Sequence, residues 1–494
     1  MTYPLPQPPV PTNDQLNSAT SQLLQQLPEA ASSSPEDLHT HRHDGLKIAF
    51  ACHAVIRPTD PAQVGTVLQL ANQYTVPVTT RGVGSTLTGG ASPRHGGWVL
   101  DLSKLDQFTI DPLTNFCHAQ AGAVTGKIQE AALQQGRMYP PDPSSLKWCT
   151  IGGNIACNAG GLRCVKYGVT RDYVVSLEGY LPTGEPVKFG RDLKKFASGY
   201  NLRDLWIGSE GMLGVITHAT LKLVHAPKAT QTFLAAFPSE RHALDSVLGL
   251  LEAGQVQPSI LEFLDNPSVQ GAEKAIGHTL FPESPGTPLV LVEIDGHPAQ
   301  VEEDTATIAN WLRETSLHHI QAQSPEDAES LWAVRRKCSS AMFMLANTKL
   351  NQDIVVPLRK QADLVEYVHN LRKKTDLPIA VFGHAGDGNL HVNVMYDRTT
   401  LETRTTAANA TRQIMEKVVS LGGSISGEHG IGLAKTPFTD LEFSQAELKT
   451  MAAIKRTLDP NNILNPGKLF HLFEPWKHTP EEVQLPWDHS RTVM

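Results

Sequence analysis

Four turn-rich segments, each set between short apolar stretches, restrict the fold of this chain more than any other feature. They are Arg81-Gly82-Val83-Gly84-Ser85-Thr86-Leu87-Thr88-Gly89-Gly90, Pro140-Pro141-Asp142-Pro143-Ser144-Ser145, Thr150 to Gly161, and Gly208 to Thr217. Side-chain-free positions let backbone N–H groups converge on an anion, and Arg81 adds a positive charge ahead of the first segment. Taken alone, Gly82 to Gly90 reads equally as an ordinary turn. It does not complete the G-x-G-x-x-G fingerprint, because Leu87 stands where the third glycine belongs and a further loop and strand follow where a helix is required. Four such segments in series imply an extended ligand, such as a dinucleotide lying deep in the protein, since a compact phosphate needs only one loop.

The stretches between them alternate in type. Ala54 to Arg57 reads as a strand, and Asp60-Pro61 caps a helix carrying Val64, Val67, Leu68 and Ala71 at helical spacing. Strands at Val76–Thr80 and Trp98–Leu102 and a helix over Val124–Gln135 follow. From about Thr230 the glycines thin out. The order becomes strand (233–237), helix (240–253), strands (259–264 and 289–294) and helix (301–315), resembling a split β-α-β unit. A helix at 331–345, strands at 352–356, 380–382 and 390–395, and helices at 400–420 and 446–458 complete an α+β chain.

Composition narrows the function classes. The 494 residues contain 42 Lys and Arg against 50 Asp and Glu, a net charge of −8, which lacks the basic excess of nucleic-acid binding. No apolar run is long enough to span a bilayer. The start of the chain, rich in proline from Pro4 to Pro11, has no secretory-signal pattern and reads as a loose, partly helical leader. Six scattered cysteines form no C-x-x-C pair, which argues against disulfide staples and an iron–sulfur cluster and favours a reduced, cytoplasmic setting.

A second constellation lies downstream. In Phe382-Gly383-His384-Ala385-Gly386-Asp387-Gly388-Asn389-Leu390-His391, two histidines flank a Gly-Asp-Gly-Asn turn, and a hairpin would bring them together. Ser424 to Gly432 then supplies Glu428 beside a third imidazole, His429. Each histidine alone is compatible with simple hydrogen bonding at a turn. Two neutral imidazoles and a carboxylate together make a divalent-metal set with positions left for substrate.

These strings resemble the FAD-binding domain of the vanillyl-alcohol oxidase superfamily, in particular the FAD-linked D-2-hydroxyacid dehydrogenases, over nearly all of the chain after residue 45. The resemblance implies an α+β fold. It consists of a two-lobed FAD-binding domain at 45–225 behind a flexible leader at 1–44, a cap domain of antiparallel sheet and helices at 226–440, a segment at 441–475 returning to the first domain, and a tail at 476–494. It implies non-covalent FAD, because relatives that bond flavin to histidine in the first loop carry that histidine near the site of Ser85 here. Cofactor contacts are implied at Arg81, Gly82, Val83, Gly84, Ser85, Thr86, Pro141, Asp142, Ser145, Thr150, Gly152, Gly153, Asn154, Asn158, Gly160, Gly161, Glu210, Gly214, Ile216 and Asn465.

The same resemblance implies His384, His391 and Glu428 as ligands of zinc or manganese, His429 as proton acceptor and Arg335 as the group that grips the substrate carboxylate, with Lys349 a weaker candidate for substrate binding. The implied activity is oxidation of a small 2-hydroxy acid, glycolate or D-lactate, with hydride passing to FAD. Electrons would leave to an external acceptor, either a quinone, an electron-transfer protein or an iron–sulfur subunit. Peripheral membrane association through that acceptor and a homodimeric assembly are left open. The alternatives are a non-redox flavoenzyme resembling alkylglycerone-phosphate synthase, a metal-dependent hydrolase and a binding-only subunit.

Overall fold

The computed structural model describes residues 8–481. Pro4 and Pro6 of the leader and the tail after 481 lie outside the described residues. The chain divides into two compact units, neither contiguous in sequence. The first takes residues up to Ala159, Val169–His225 and Glu428 onward; the second takes Gly160–Gly168 and Ala226–Gly427.

The first unit contains two principal sheets. In one, Ala54–Ile56, Trp98–Asp101 and Val78–Arg81 run parallel, and Ala31–Ser32 pairs antiparallel at the edge. The other is antiparallel, in the order Phe108–Asp111, Phe116–Gln120, Val215–Lys222, Val174–Tyr180, Pro186–Gly190. Helix Pro61–Tyr74 begins as its sequence predicts: Asp60 accepts the Ala62 N–H at 2.8 Å and Pro61 occupies the first turn. Its Val64, Val67, Leu68 and Ala71 bury against Val78 and Trp98.

The leader has a defined place in this core. Helix Asn13–Gln26, closed by a Thr12–Gln15 capping box, sends Leu16, Ala19 and Leu23 into the same apolar cluster, and Trp98 Nε1 donates to Thr20 Oγ1 at 3.0 Å. The prolines obscured this in the sequence, although an i, i+3, i+7 stripe lies just beyond them. Leu23→Ala should therefore cost about 2–5 kcal/mol in denaturant unfolding. A change below about 0.5 kcal/mol, the scale of surface substitutions, would return the leader to a loose role.

The second unit is built on a seven-stranded antiparallel sheet in the order His318–Gln321, Ala229–Ala236, Leu289–Gly296, Ile260–Leu264, Ile379–His384, Asn389–Tyr396, Thr348–Val355. Helices Asn266–Ile276 and Pro325–Ala341 cover the apolar end of one face, packing Val269, Leu331 and Val334 on Leu234, Leu264 and Leu291. Helices Asn266–Ile276 and Gln361–Thr375 go beyond the sequence reading. The Gly160–Gly168 stretch is tied to the same sheet: Lys166 Nζ pairs with Asp295 Oδ1 at 2.6 Å, Tyr167 Oη donates to Asp295, and Arg163 lies 3.6 Å from Glu293.

Candidate active site

The two histidines of the H-A-G-D-G-N-L-H string sit on adjacent strands of a hairpin, as their spacing predicts. Phe382 lies opposite His391 and His384 opposite Asn389, and because side chains alternate along a strand, both imidazoles project from one face. Their ring centroids are 5.5 Å apart. Gly388, at φ +91°, closes the turn in a conformation that favours glycine.

Next to this hairpin, Glu262 stands opposite His384, so its side chain shares that face. It is fully buried. Oε1 bonds His384 Nδ1 and Oε2 bonds Arg335 Nε from helix Pro325–Ala341. Burial alone would raise its pKa, but the Arg335 guanidinium and His384 reverse this and hold the carboxyl at about 2. With Nδ1 engaged, His384 presents Nε2 as its ligand atom. The Arg335 guanidinium also lies 5.0 Å from the Phe382 ring centroid.

The carboxylate of the set arrives by a separate route. Asp353, opposite His391 on the edge strand, takes Asn389 Nδ2 at 2.7 Å and the Gly427 N–H at 3.1 Å. This anchors the end of the second unit, and the next peptide bond delivers Glu428. His384, His391 and Glu428 each offer one ligand atom, and these atoms all lie within 4.8 Å of one another. Two imidazole nitrogens and one carboxylate oxygen, with a buried carboxylate behind one imidazole, fit a divalent cation. His429 Nε2 is 3.8 Å from Glu428 Oε1, and its backbone carbonyl accepts the Thr88 hydroxyl at 3.3 Å. Lys349 shares the face of His391, four residues along the edge strand from Asp353, or about 13 Å of strand. Its Nζ donates to Ser339 Oγ at 2.9 Å.

In the first unit the glycine-rich segments hang from buried strand ends. Val78 and Thr79 are buried, whereas Gly82, Val83, Ser85 and Thr86 are half-exposed, which leaves the loop backbone reachable by an anionic ligand such as the diphosphate of FAD. Arg81 differs from expectation. Its guanidinium is turned inward, donating to the carbonyls of His43 and Val83 at 2.9 Å each, which ties down the loop. Gly84, at φ +77°, lies against that guanidinium where a Cβ has no room.

Several other implied cofactor residues are also occupied within the unit. Thr150 to Gly161 contains a short helix, Ile151–Cys157, that begins after Thr150 and carries half-exposed Gly152 and Gly153. Asn154 Nδ2 donates to Thr125 Oγ1 at 2.7 Å, Asn158 Oδ1 accepts the Arg171 N–H at 2.9 Å, and the Pro141 carbonyl accepts Gln129 Nε2 at 2.8 Å. Asp142 is buried and Ser145 half-exposed. Glu210 receives the N–H groups of Ile431 and Gly432 at 2.8 and 2.7 Å, so its carboxylate clamps the loop that follows His429. Gly214 admits the Trp206 ring, and Ile216 is a buried strand residue. Asn465 lies in this unit, where Oδ1 accepts the Thr80 N–H at 3.2 Å and Nδ2 donates to the Glu210 carbonyl at 2.6 Å. Gly160 and Gly161 belong to the second unit.

Sequence reasoning missed Glu262 and did not assign Asp353 a role. The signal for Glu262 was present, as the one charge inside the apolar strand Ile260-Leu261-Glu262-Phe263-Leu264. A carboxylate in so dry a place needs partners.

Comparison with known proteins agrees with this architecture. Residues 226–469 match the family described as FAD linked oxidases, C-terminal domain, and residues 52–190 match the FAD binding domain. The chain is 38% identical over 421 residues to glycolate oxidase subunit GlcD of Bacillus subtilis (strain 168), covering 84% of this chain and 88% of that one. It is 34% identical over 471 residues to D-lactate dehydrogenase of Anaerostipes hadrus, covering 92% and 98%. Among solved structures, p-cresol methylhydroxylase with substrate bound aligns at a TM-score of 0.78 and 16% identity, covering 94% of this chain and 99% of that one. An alkyldihydroxyacetonephosphate synthase aligns at 0.69 and 19%, covering 94% and 89%. The structural matches establish the expected α+β fold. Among the described residues no helix is long and apolar enough to cross a membrane.

Proposed function

This chain belongs to the FAD-linked oxidases, alongside glycolate oxidase subunit GlcD and the D-lactate dehydrogenases, and on that premise we propose that it oxidises a small D-2-hydroxy acid, glycolate or D-lactate, to the 2-oxo acid. The observation that carries this reading is the His384, His391 and Glu428 donor set. When bound, non-covalent FAD supplies the hydride acceptor and a zinc or manganese ion supplies Lewis acidity at the substrate oxygens.

The chain's own groups do the rest. His429 takes the hydroxyl proton on its imidazole as general base. Arg335 receives the substrate carboxylate through paired N–H groups and so fixes the direction in which the α-carbon hydrogen is presented, with Lys349 a second cation on the sheet face that carries His391. Half-exposed Gly82, Val83, Ser85 and Thr86 offer backbone N–H groups to the FAD diphosphate. Membership of the same family supports reoxidation by an external acceptor: a quinone, an electron-transfer protein or an iron–sulfur subunit.

Anaerobic addition of D-lactate or glycolate to the FAD- and metal-loaded protein should bleach the flavin absorbance, with L-lactate at least about tenfold slower. The fold-level likeness to alkyldihydroxyacetonephosphate synthase supplies the competing reading, in which no 2-hydroxy acid bleaches the flavin. Silence across a panel of D- and L-acids would therefore overturn the oxidation.

A further inference from the structure

We propose that Glu262 is a positioning residue of the reaction: through its two carboxylate oxygens it fixes both the metal-facing nitrogen of His384 and the orientation of Arg335. The inference rests on the function proposed above and adds to it the group that ties the metal ligand to the substrate cation.

The argument starts from where this carboxylate is. Glu262 occupies an inner strand of the seven-stranded sheet, flanked in sequence by Leu261 and Phe263, and its relative exposure is 0%. An ionised carboxylate in that position costs several kcal/mol in desolvation, and an apolar residue of similar volume would serve stability as well or better. Its geometry shows what is gained in return. The two acceptors are divided: Oε1 serves His384 Nδ1 and Oε2 serves Arg335 Nε. Each partner then has one orientation. His384 is held as the Nδ1–H tautomer with Nε2 directed away from Glu262, and the Arg335 guanidinium is held at 5.0 Å over Phe382, whose ring lies 5.9 Å from that of His391. One anion thereby orders a ligand on the hairpin and a cation on helix Pro325–Ala341.

The division of labour has a chemical signature. A glutamine at 262 has the same shape but a single acceptor oxygen, so it can satisfy His384 or Arg335 and must turn an NH2 toward the other. Glu262→Gln should leave FAD content unchanged. It should lower the affinity for Zn2+ or Mn2+, measured on the FAD-loaded full chain by chelator competition, by about tenfold or more. It should also raise KM for D-lactate or glycolate by about tenfold, because Arg335 loses its anchor.

The double variant Glu262→Gln/Arg335→Met decides between positioning and mere stability. With the competing donor gone, the amide oxygen is available to His384, and metal affinity should recover to within about threefold of wild type while KM stays high. This variant also removes the buried cation that a neutral residue 262 no longer balances, so it keeps the test available if the single variant fails to fold. Wild-type metal affinity in Glu262→Gln, or no recovery in the double variant, would overturn the assignment of Glu262. A wild-type chain that binds neither cation would instead remove the metal reading, and this inference with it.

Discussion

His384→Ala should abolish turnover of the 2-hydroxy acid by about a thousandfold or more while the protein keeps its flavin. Lewis-acid stabilisation at the substrate oxygens amounts to several kcal/mol, and each 1.36 kcal/mol is about tenfold in rate. His384 is one of three candidate ligands, and it is the one with a buried carboxylate locked behind it. Losing it removes a nitrogen donor and leaves Glu262 with Arg335 as its remaining partner of the two. The Gly82–Gly90 loop belongs to the first unit and His384 to the second, so FAD absorbance per chain should be unaltered. Exhaustive chelation of the wild-type protein should reproduce the loss, and added Zn2+ or Mn2+ should reverse it there but not in the variant. Full activity in His384→Ala after chelation would exclude a metal from the reaction.

His429→Asn should lower kcat by about 10²- to 10⁴-fold, the range of general-base catalysis. The substitution leaves Glu428 in place, and the Thr88 hydroxyl still has a backbone carbonyl to bond at position 429. Metal content and FAD content should therefore match wild type, separating this variant from His384→Ala. Partial rescue by added imidazole would identify the missing function as proton acceptance. If kcat is unchanged and only KM rises, His429 binds substrate and a different group takes the proton.

How far the sequence could be read depended on how local each signal was. Helix Pro61–Tyr74 was legible because its cap, its first-turn proline and its apolar period occupy fifteen consecutive residues from Asp60. The His384–His391 hairpin was legible for the same reason: a glycine-bearing turn between two apolar strands sets the register by itself. Glu262 contacts its partners across 122 and 73 residues of sequence, and no periodicity carries such information. Arg81 shows the converse limit. Its place at the loop was correct, but the direction of its guanidinium is set by the carbonyls of His43 and Val83, which a residue pattern does not display. Glu210 is a similar case. The family resemblance implied a cofactor contact there, and what it could not display is that the carboxylate receives the amides of Ile431 and Gly432.

The Gly160–Gly168 stretch has a consequence for how this protein can be dissected. Cutting the gene at residue 226, where the second matched family begins, would separate the cap sheet from Lys166, Tyr167 and Arg163. Asp295 and Glu293 would then be stranded without the cations that answer them. A cap fragment made that way should be insoluble or markedly destabilised, and a chimera grafting this cap onto another flavoprotein must bring along a short upstream peptide as its plug.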